Sequence, residues 1–167
     1  IEVTFDSGWH CRIGIVADGL GRVLFTAPDG LREPVTWSIA PNVGKAQDRT
    51  QVFARSIASV AQSNDGATAE SATLRANIRL EPFAIDWEQK IGDNWHVCCR
   101  DRASYAYGSA ARSGTLTHWQ ARDAEDQYFG LGDKTGPLNK SGRRLRTRQL
   151  DALGYNGETS DPLYKHW

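Results

Sequence analysis

Apolar residues recur at every second position in three stretches of the chain. Cys11, Ile13 and Ile15 alternate with Arg12, Gly14 and Val16. Leu74, Ala76, Ile78 and Leu80 alternate with Arg75, Asn77 and Arg79. After Pro82, Phe83, Ile85 and Trp87 fall on one side while Asp86 and Glu88 fall on the other. Successive side chains of a strand point to opposite faces, so this period sets one apolar face against a core and leaves the polar face in water. Shorter strands are expected over 2–5, 23–26, 35–40, 95–99 and 115–121. Phe53, Ile57, Val60 and Ala61 satisfy helical and strand spacing alike, and we read that segment as strand. Turn residues separate these runs: Asp6-Ser7-Gly8, Asp18-Gly19, Asp29-Gly30, Asn64-Asp65-Gly66 and Ser113-Gly114. Short strands divided by frequent turns, without intervening helical patterns, predict an all-β antiparallel sandwich or barrel. From about Gln127 the alternation fades and glycines at 130, 132, 136, 142, 154 and 157 punctuate the chain. The expected organisation is therefore a β core over 1–126 and a Gly-rich segment of the same domain over 127–167.

Composition narrows the partners more than the fold. A chain of 167 residues is long enough to bury a core, at roughly 70% of the surface exposed when unfolded. Twenty basic and twenty acidic side chains cancel, so no long-range field draws the chain to nucleic acid or to anionic lipid. Neither nucleic acid nor membrane is an expected partner, and no apolar run approaches the length of a membrane span. Three cysteines, two of them adjacent at 98 and 99, do not form a disulfide framework. The absence of methionine, the opening at Ile1 and the aromatic-rich end at Tyr164 to Trp167 suggest a piece of a longer chain. None of these features encodes a compartment.

Several short patterns tempt an assignment and fail on chemistry. The run from Phe129 to Gly136 lacks the glycine that a phosphate loop needs before its lysine; Asp133 stands there, and its carboxylate would repel a phosphate. The same glycines have the wrong last gap for a dinucleotide fingerprint. Lys140, Arg143, Arg144, Arg146 and Arg148 form a basic run, but few aromatic residues interleave with it to stack bases. His10, His96, His118 and His166 are scattered without metal-ligand spacing, so neither metal nor another cofactor is expected. Asn139-Lys140-Ser141 matches a glycosylation acceptor, a pattern that also arises by chance. Twenty acidic residues allow many carboxylate pairs, yet the strand and helix alternation of a (β/α)₈ barrel is missing.

Longer strings carry more information. Tyr-Phe-Gly-Leu-Gly-Asp-Lys-Thr-Gly-Pro-Leu-Asn-Lys-Ser-Gly-Arg-Arg, from Tyr128 to Arg144, resembles the N-terminal domain of the family 31 glycoside hydrolases, the α-glucosidase family. The segments from Asp151 to Asn156 and from Asp161 to Lys165 continue the likeness. Thr36 to Pro41, Leu80 to Phe83 and Arg100-Asp101-Arg102 extend it more loosely upstream. The resemblance implies a galactose-mutarotase-like β-sandwich followed, in the parent enzyme, by a (β/α)₈ catalytic barrel. It places both catalytic aspartates on that barrel, the nucleophile usually within an Asp-Met-Asn segment, which a chain without methionine does not contain. It implies retention through a covalent glycosyl–enzyme intermediate for the parent. By motif position it assigns Asp151 to sugar hydroxyls and Tyr164 to the rim of the substrate pocket. Carboxylates suit hydroxyls as charge-assisted acceptors, and aromatic faces suit a pyranose ring.

Three readings follow. The first is a non-catalytic N-terminal domain that supplies a wall of the pocket for an α-glucoside or oligosaccharide and an interface to the barrel. Phe129, Leu131, Leu138, Leu145, Leu150 and Leu153 are then expected in an exposed apolar patch. The second is an autonomous carbohydrate-binding module with Trp9, Trp37, Trp95 and Trp119 as stacking platforms. The third is a mutarotase-like epimerase, which needs a histidine, His96 or His118, to converge with a carboxylate.

Overall fold

The computed structural model describes residues 1–30, 57–110, 115–130 and 136–145. Among them are ten strands and no helix: β1 (Glu2–Thr4), β2 (His10–Ala17), β3 (Leu20–Thr26), β4 (Ser59–Gln62), β5 (Gly66–Glu70), β6 (Leu74–Leu80), β7 (Phe83–Ile91), β8 (Asn94–Arg100), β9 (Tyr107–Ala110) and β10 (Thr115–His118). They form a three-stranded sheet β1-β2-β3, a five-stranded sheet β4-β5-β6-β7-β8 and the hairpin β9-β10, every pairing antiparallel. Each strand pairs with its neighbour in sequence, as short turns dictate. Contacts divide the chain into Ile1–Ala121, which holds all ten strands, and Arg122–Trp167.

The alternation decides which faces meet. β2 lies against β5 and β3 against β6, so the two larger sheets form a sandwich. Cys11, Ile13, Ala69, Ala76, Ile78 and Ile85 make its buried cluster, with Val3, Val23 and Trp87 packed at the margin. Full burial of a side chain the size of Ile13, Ile15 or Ile85 contributes roughly 1.5–3 kcal/mol each. Small residues matter as much as large ones. A Cβ on Gly21 of β3 would overlap the Trp87 ring of β7, so the glycine lets the indole lie close against the opposite sheet.

The expected strands at β2, β6 and β7 carry the expected inward faces, apart from Leu80. That residue is 44% exposed because it sits at the sheet rim, immediately before the Glu81-Pro82 turn. The segment expected as strand up to 121 ends at His118, where the Trp119 amide turns to the Ala106 carbonyl. Asn64-Asp65 is a turn, but Gly66 already belongs to β5. Two strands, β5 and β9, have no counterpart among the expected ones. The expected strand at 35–40, Phe53 and the turn at Ser113-Gly114 lie outside the described residues.

An aromatic cluster joins the three sheets. Phe25 comes from the first sheet and Phe5 from just beyond its strand β1, Phe83 from the second sheet and Tyr107 from the hairpin. Phe5 meets Phe83 edge-on at 4.9 Å, and Tyr107 lies 4.8 Å from Phe25 and 5.3 Å from Phe83 between ring centres. Such pairs add about 0.5–1.5 kcal/mol beyond their burial.

Candidate functional site

The most concentrated polar chemistry inside the sandwich surrounds Asp101. It directly follows β8 and is 3% exposed. Its Oδ2 accepts the Ile85 amide of β7 at 2.8 Å, and its Oδ1 lies 2.6 Å from His118 Nε2 at the end of β10. The Tyr107 hydroxyl of β9 is a third partner. A carboxylate only accepts, so His118 Nε2 carries the shared proton. Tyr107 and His118 are cross-strand partners whose rings stack at 4.4 Å and 4°. Burial, reinforced by the neighbouring carboxylate, holds the Tyr107 hydroxyl well above its usual pKa. The Asp101 amide is in turn accepted by Asp86 Oδ1 at 3.1 Å, and the hairpin is tied on by Arg102 N–H to Trp119 O and Ala121 N–H to Arg100 O.

A histidine and a carboxylate therefore do converge, at His118 and not at the exposed His96. The arrangement is nevertheless that of a tie. Asp101 already accepts the Ile85 amide and faces His118 Nε2 and the Tyr107 hydroxyl, and neither of the two grooves described below includes Asp101 or His118. Among the described residues no group of three or more His, Cys, Asp or Glu could hold a metal ion.

The outer face of the five-stranded sheet carries a second polar set. Arg75 bridges Glu70 at 2.8 Å and Glu88 at 3.0 Å, Asn77 donates to Glu88 at 2.9 Å, and Thr68 donates to Asn77 at 3.4 Å. The Arg75 guanidinium lies 4.1 Å over the Trp95 ring. Toward the other end of the same face the side chains shrink to Ala61, Gly66 and Ala84, and a groove of about 350 Å³ opens there. A smaller cleft of about 80 Å³ lies among Phe5, Trp9, Phe25, Tyr107 and Leu116.

Asp151 and Tyr164, the residues assigned to sugar binding, lie outside the described residues, as do Trp37, Leu131, Leu150 and Leu153. Of the expected apolar patch, Phe129 is 53% and Leu138 77% exposed, while Leu145 is half-buried. Of the tryptophans, Trp95 is covered by Arg75, Trp9 is half-buried and Trp119 is exposed with Arg102 beside it. Lys140 of the basic run is buried and donates to the Pro137 carbonyl at 2.8 Å. Asn139 of the glycosylation-like pattern accepts the Tyr128 and Ser141 amides through Oδ1. Asp101 was visible in the sequence only as the centre of Arg100-Asp101-Arg102, a setting that reads as solvated.

Comparison with known proteins addresses the chain as a whole. Residues 10–167 match the family described as the glycosyl hydrolase 31 N-terminal galactose mutarotase-like domain. Alpha-glucosidase 2 of Bacillus thermoamyloliquefaciens is 25% identical over 165 residues, covering 94% of this chain and 19% of that protein. A glycoside hydrolase 31 dextranase from Flavobacterium johnsoniae, solved with glucose, superposes with a TM-score of 0.75 at 16% identity, over 98% of this chain and 18% of its own. A mutant of that dextranase, solved with isomaltotriose, superposes equally well at 17% identity. The chain thus spans about a fifth of the length of these relatives.

Proposed function

Because the chain belongs to the family of glycosyl hydrolase 31 N-terminal galactose mutarotase-like domains, we propose that it serves as the non-catalytic front domain of an α-glucosidase-type retaining glycoside hydrolase. In this reading residues 1–126 are the sandwich core. Residues 127–167 are the segment that approaches a (β/α)₈ barrel and completes one wall of its sugar pocket. Asp151 accepts hydrogen bonds from sugar hydroxyls, and Tyr164 offers an aromatic face at the rim. The substrate class is an α-glucoside or α-linked oligosaccharide. Cleavage itself requires two carboxyl groups held about 5 Å apart across the scissile bond, which the reading assigns to the barrel.

The observation that carries the proposal is the family match over 10–167 combined with a span of 18–19% of the relatives' length. The use of Asp101 and His118 as a tie between sheets is consistent with it, since the sandwich then keeps no free acid–base pair there. The exposed Phe129 and Leu138 fit a surface that another domain covers.

The test is hydrolysis of an aryl α-glucoside by the purified chain, alone and mixed with a separately expressed barrel of the parent enzyme. We expect no turnover above a mock preparation from the chain alone, and turnover when the two are combined. In the combined system Asp151→Ala should lower kcat/KM by about 10–100-fold, the scale of one charge-assisted hydrogen bond to substrate. Turnover by the isolated chain would overturn the proposal.

A further inference from the structure

We propose that the groove on the outer face of the five-stranded sheet is a second binding site, for an uncharged, hydroxyl-rich ligand of one to a few pyranose rings. It involves neither Asp151 nor Tyr164 and goes beyond the reading above.

The sheet itself makes the groove. On this face the residues across β4 to β7 fall into rows fixed by register: Ser59, Glu70, Arg75 and Glu88; then Ala61, Thr68, Asn77 and Asp86; then Gly66, Arg79 and Ala84. The first row is filled by ion-paired side chains. In the last row Arg79 is flanked by two small residues, because a Cβ on Gly66 would overlap the Ile78 carbonyl oxygen and Ala84 adds only a methyl group. The opening of about 350 Å³ lies within the range of small-molecule sites, ~300–1,000 Å³.

The lining selects the ligand class. Ser63, Asp65, Asn77, Arg79 and Asp86 are among the lining residues and bring hydroxyl, amide, carboxylate and guanidinium groups. Two carboxylates against one guanidinium disfavour an anion. A metal ion lacks a set of three ligating side chains among the described residues. Among the described residues no aromatic ring lines the groove, so a flat apolar molecule finds no stacking partner there. A sugar hydroxyl donates and accepts at once, which matches a wall of mixed donors and acceptors. Part of the wall is committed elsewhere: Asp86 Oδ1 accepts the Asp101 amide, Ser63 donates to the Gly66 carbonyl, and Arg79 donates to the Pro82 and Ala103 carbonyls. Those contacts hold the wall rigid, while the exposed Asp65 lines the groove and is not one of the committed groups.

The test is two-dimensional amide NMR of the full chain titrated with isomaltotriose to about 50 mM, a range that detects millimolar affinity. We expect saturable shifts confined to residues 62–68, 77–79 and 84–86. Asp65→Ala should weaken binding at least about ten-fold, by loss of a charge-assisted acceptor. Ala61→Trp, at an exposed position of β4, should fill the groove and abolish the shifts without changing the rest of the spectrum. Glucose 6-phosphate should bind more weakly than glucose. The double change Asp151→Ala, Tyr164→Ala should leave the titration unaltered, which separates this site from the pocket wall proposed above. Absence of saturable shifts, shifts centred elsewhere, or unchanged binding by the Ala61→Trp variant would each overturn the proposal.

Discussion

Residues 1–121 and the described residues after 121 satisfy their backbones by different means. In the first region ten strands share ladders, and the apolar period buries Ile13, Ile15 and Ile85 completely. In the second, individual side chains and turns do the same work. Asp126 accepts the Asp123 amide, Asn139 accepts two amides, Ser141 donates to the Asp126 carbonyl and Lys140 to that of Pro137. Most ladder positions tolerate any residue that keeps the period, whereas a capping position needs one of the few side chains that can reach the backbone. Both regions leave large apolar side chains in solvent, Ile57 and Ile91 in the first and Phe129 and Leu138 in the second, but among the described residues only the first buries bulky ones, so the apolar surface of the second is spare.

The largest expected effect tests that contrast directly. Ile85→Ala removes a fully buried side chain from between the sheets and should cost about 2–5 kcal/mol, a drop of roughly 10 °C in Tm for a chain of this size. Leu138→Ser alters a residue that is 77% exposed and should stay within about 0.5 kcal/mol. Thermal unfolding followed by circular dichroism measures both. Comparable losses would mean that the spare surface is not spare.

Next come the polar anchors, one from each region. Asp101→Ala strands the Ile85 amide, the Tyr107 hydroxyl and His118 together, and should cost about 3 kcal/mol in urea unfolding. Asp101→Asn keeps an acceptor for the amide and should cost less. Asn139→Ala removes the shared acceptor of two half-exposed amides and should cost about 1–2 kcal/mol, confined to the second region. If Asn139→Ala unfolded the sandwich as well, the two regions would not be separable in the way their bonding suggests.

How much of this was legible in the sequence follows the same division. β2, β6 and β7 announce themselves because bulky apolar residues mark every second position. β5 does not: Gly-Ala-Thr-Ala-Glu has low strand propensity, and it is a strand because β4 and β6 flank it and Ala69 faces the core. β9 is four residues long and gains its place from Tyr107, whose partners come from three sheets. Asp101 between two arginines looks like a surface carboxylate, and only pairing with residues 16 and 17 positions away buries it. The groove could not have been read from spacing, since it depends on Ala61, Gly66 and Ala84 meeting across strands. The family likeness was strongest after Gln127, where the periodicity was weakest.

The last effect, absent at neutral pH, concerns the first region alone and has a defined sign. Burial pushes the Cys11 thiol from 9.0 up to about 12, and burial with Asp101 raises the Tyr107 hydroxyl above 10. In both groups the folded state holds its proton after the unfolded chain has released it. Their contribution is therefore complete below the unfolded pKa values and is lost as pH rises from about 9 toward the folded ones. Each group removes at most about 1.4 kcal/mol per pH unit within its window. Urea midpoints should be flat with respect to these groups up to pH 9 and fall beyond it. Cys11→Ala should reduce the earlier part of that fall, which Cys99, its thiol also raised by burial, shares, and Tyr107→Phe the later part, so that Cys11→Ala combined with Cys99→Ala flattens the early part further. A profile that is steep in all three variants would assign the alkaline loss to some other group and would remove Cys11 and Tyr107 as the buried titrating pair of the sandwich.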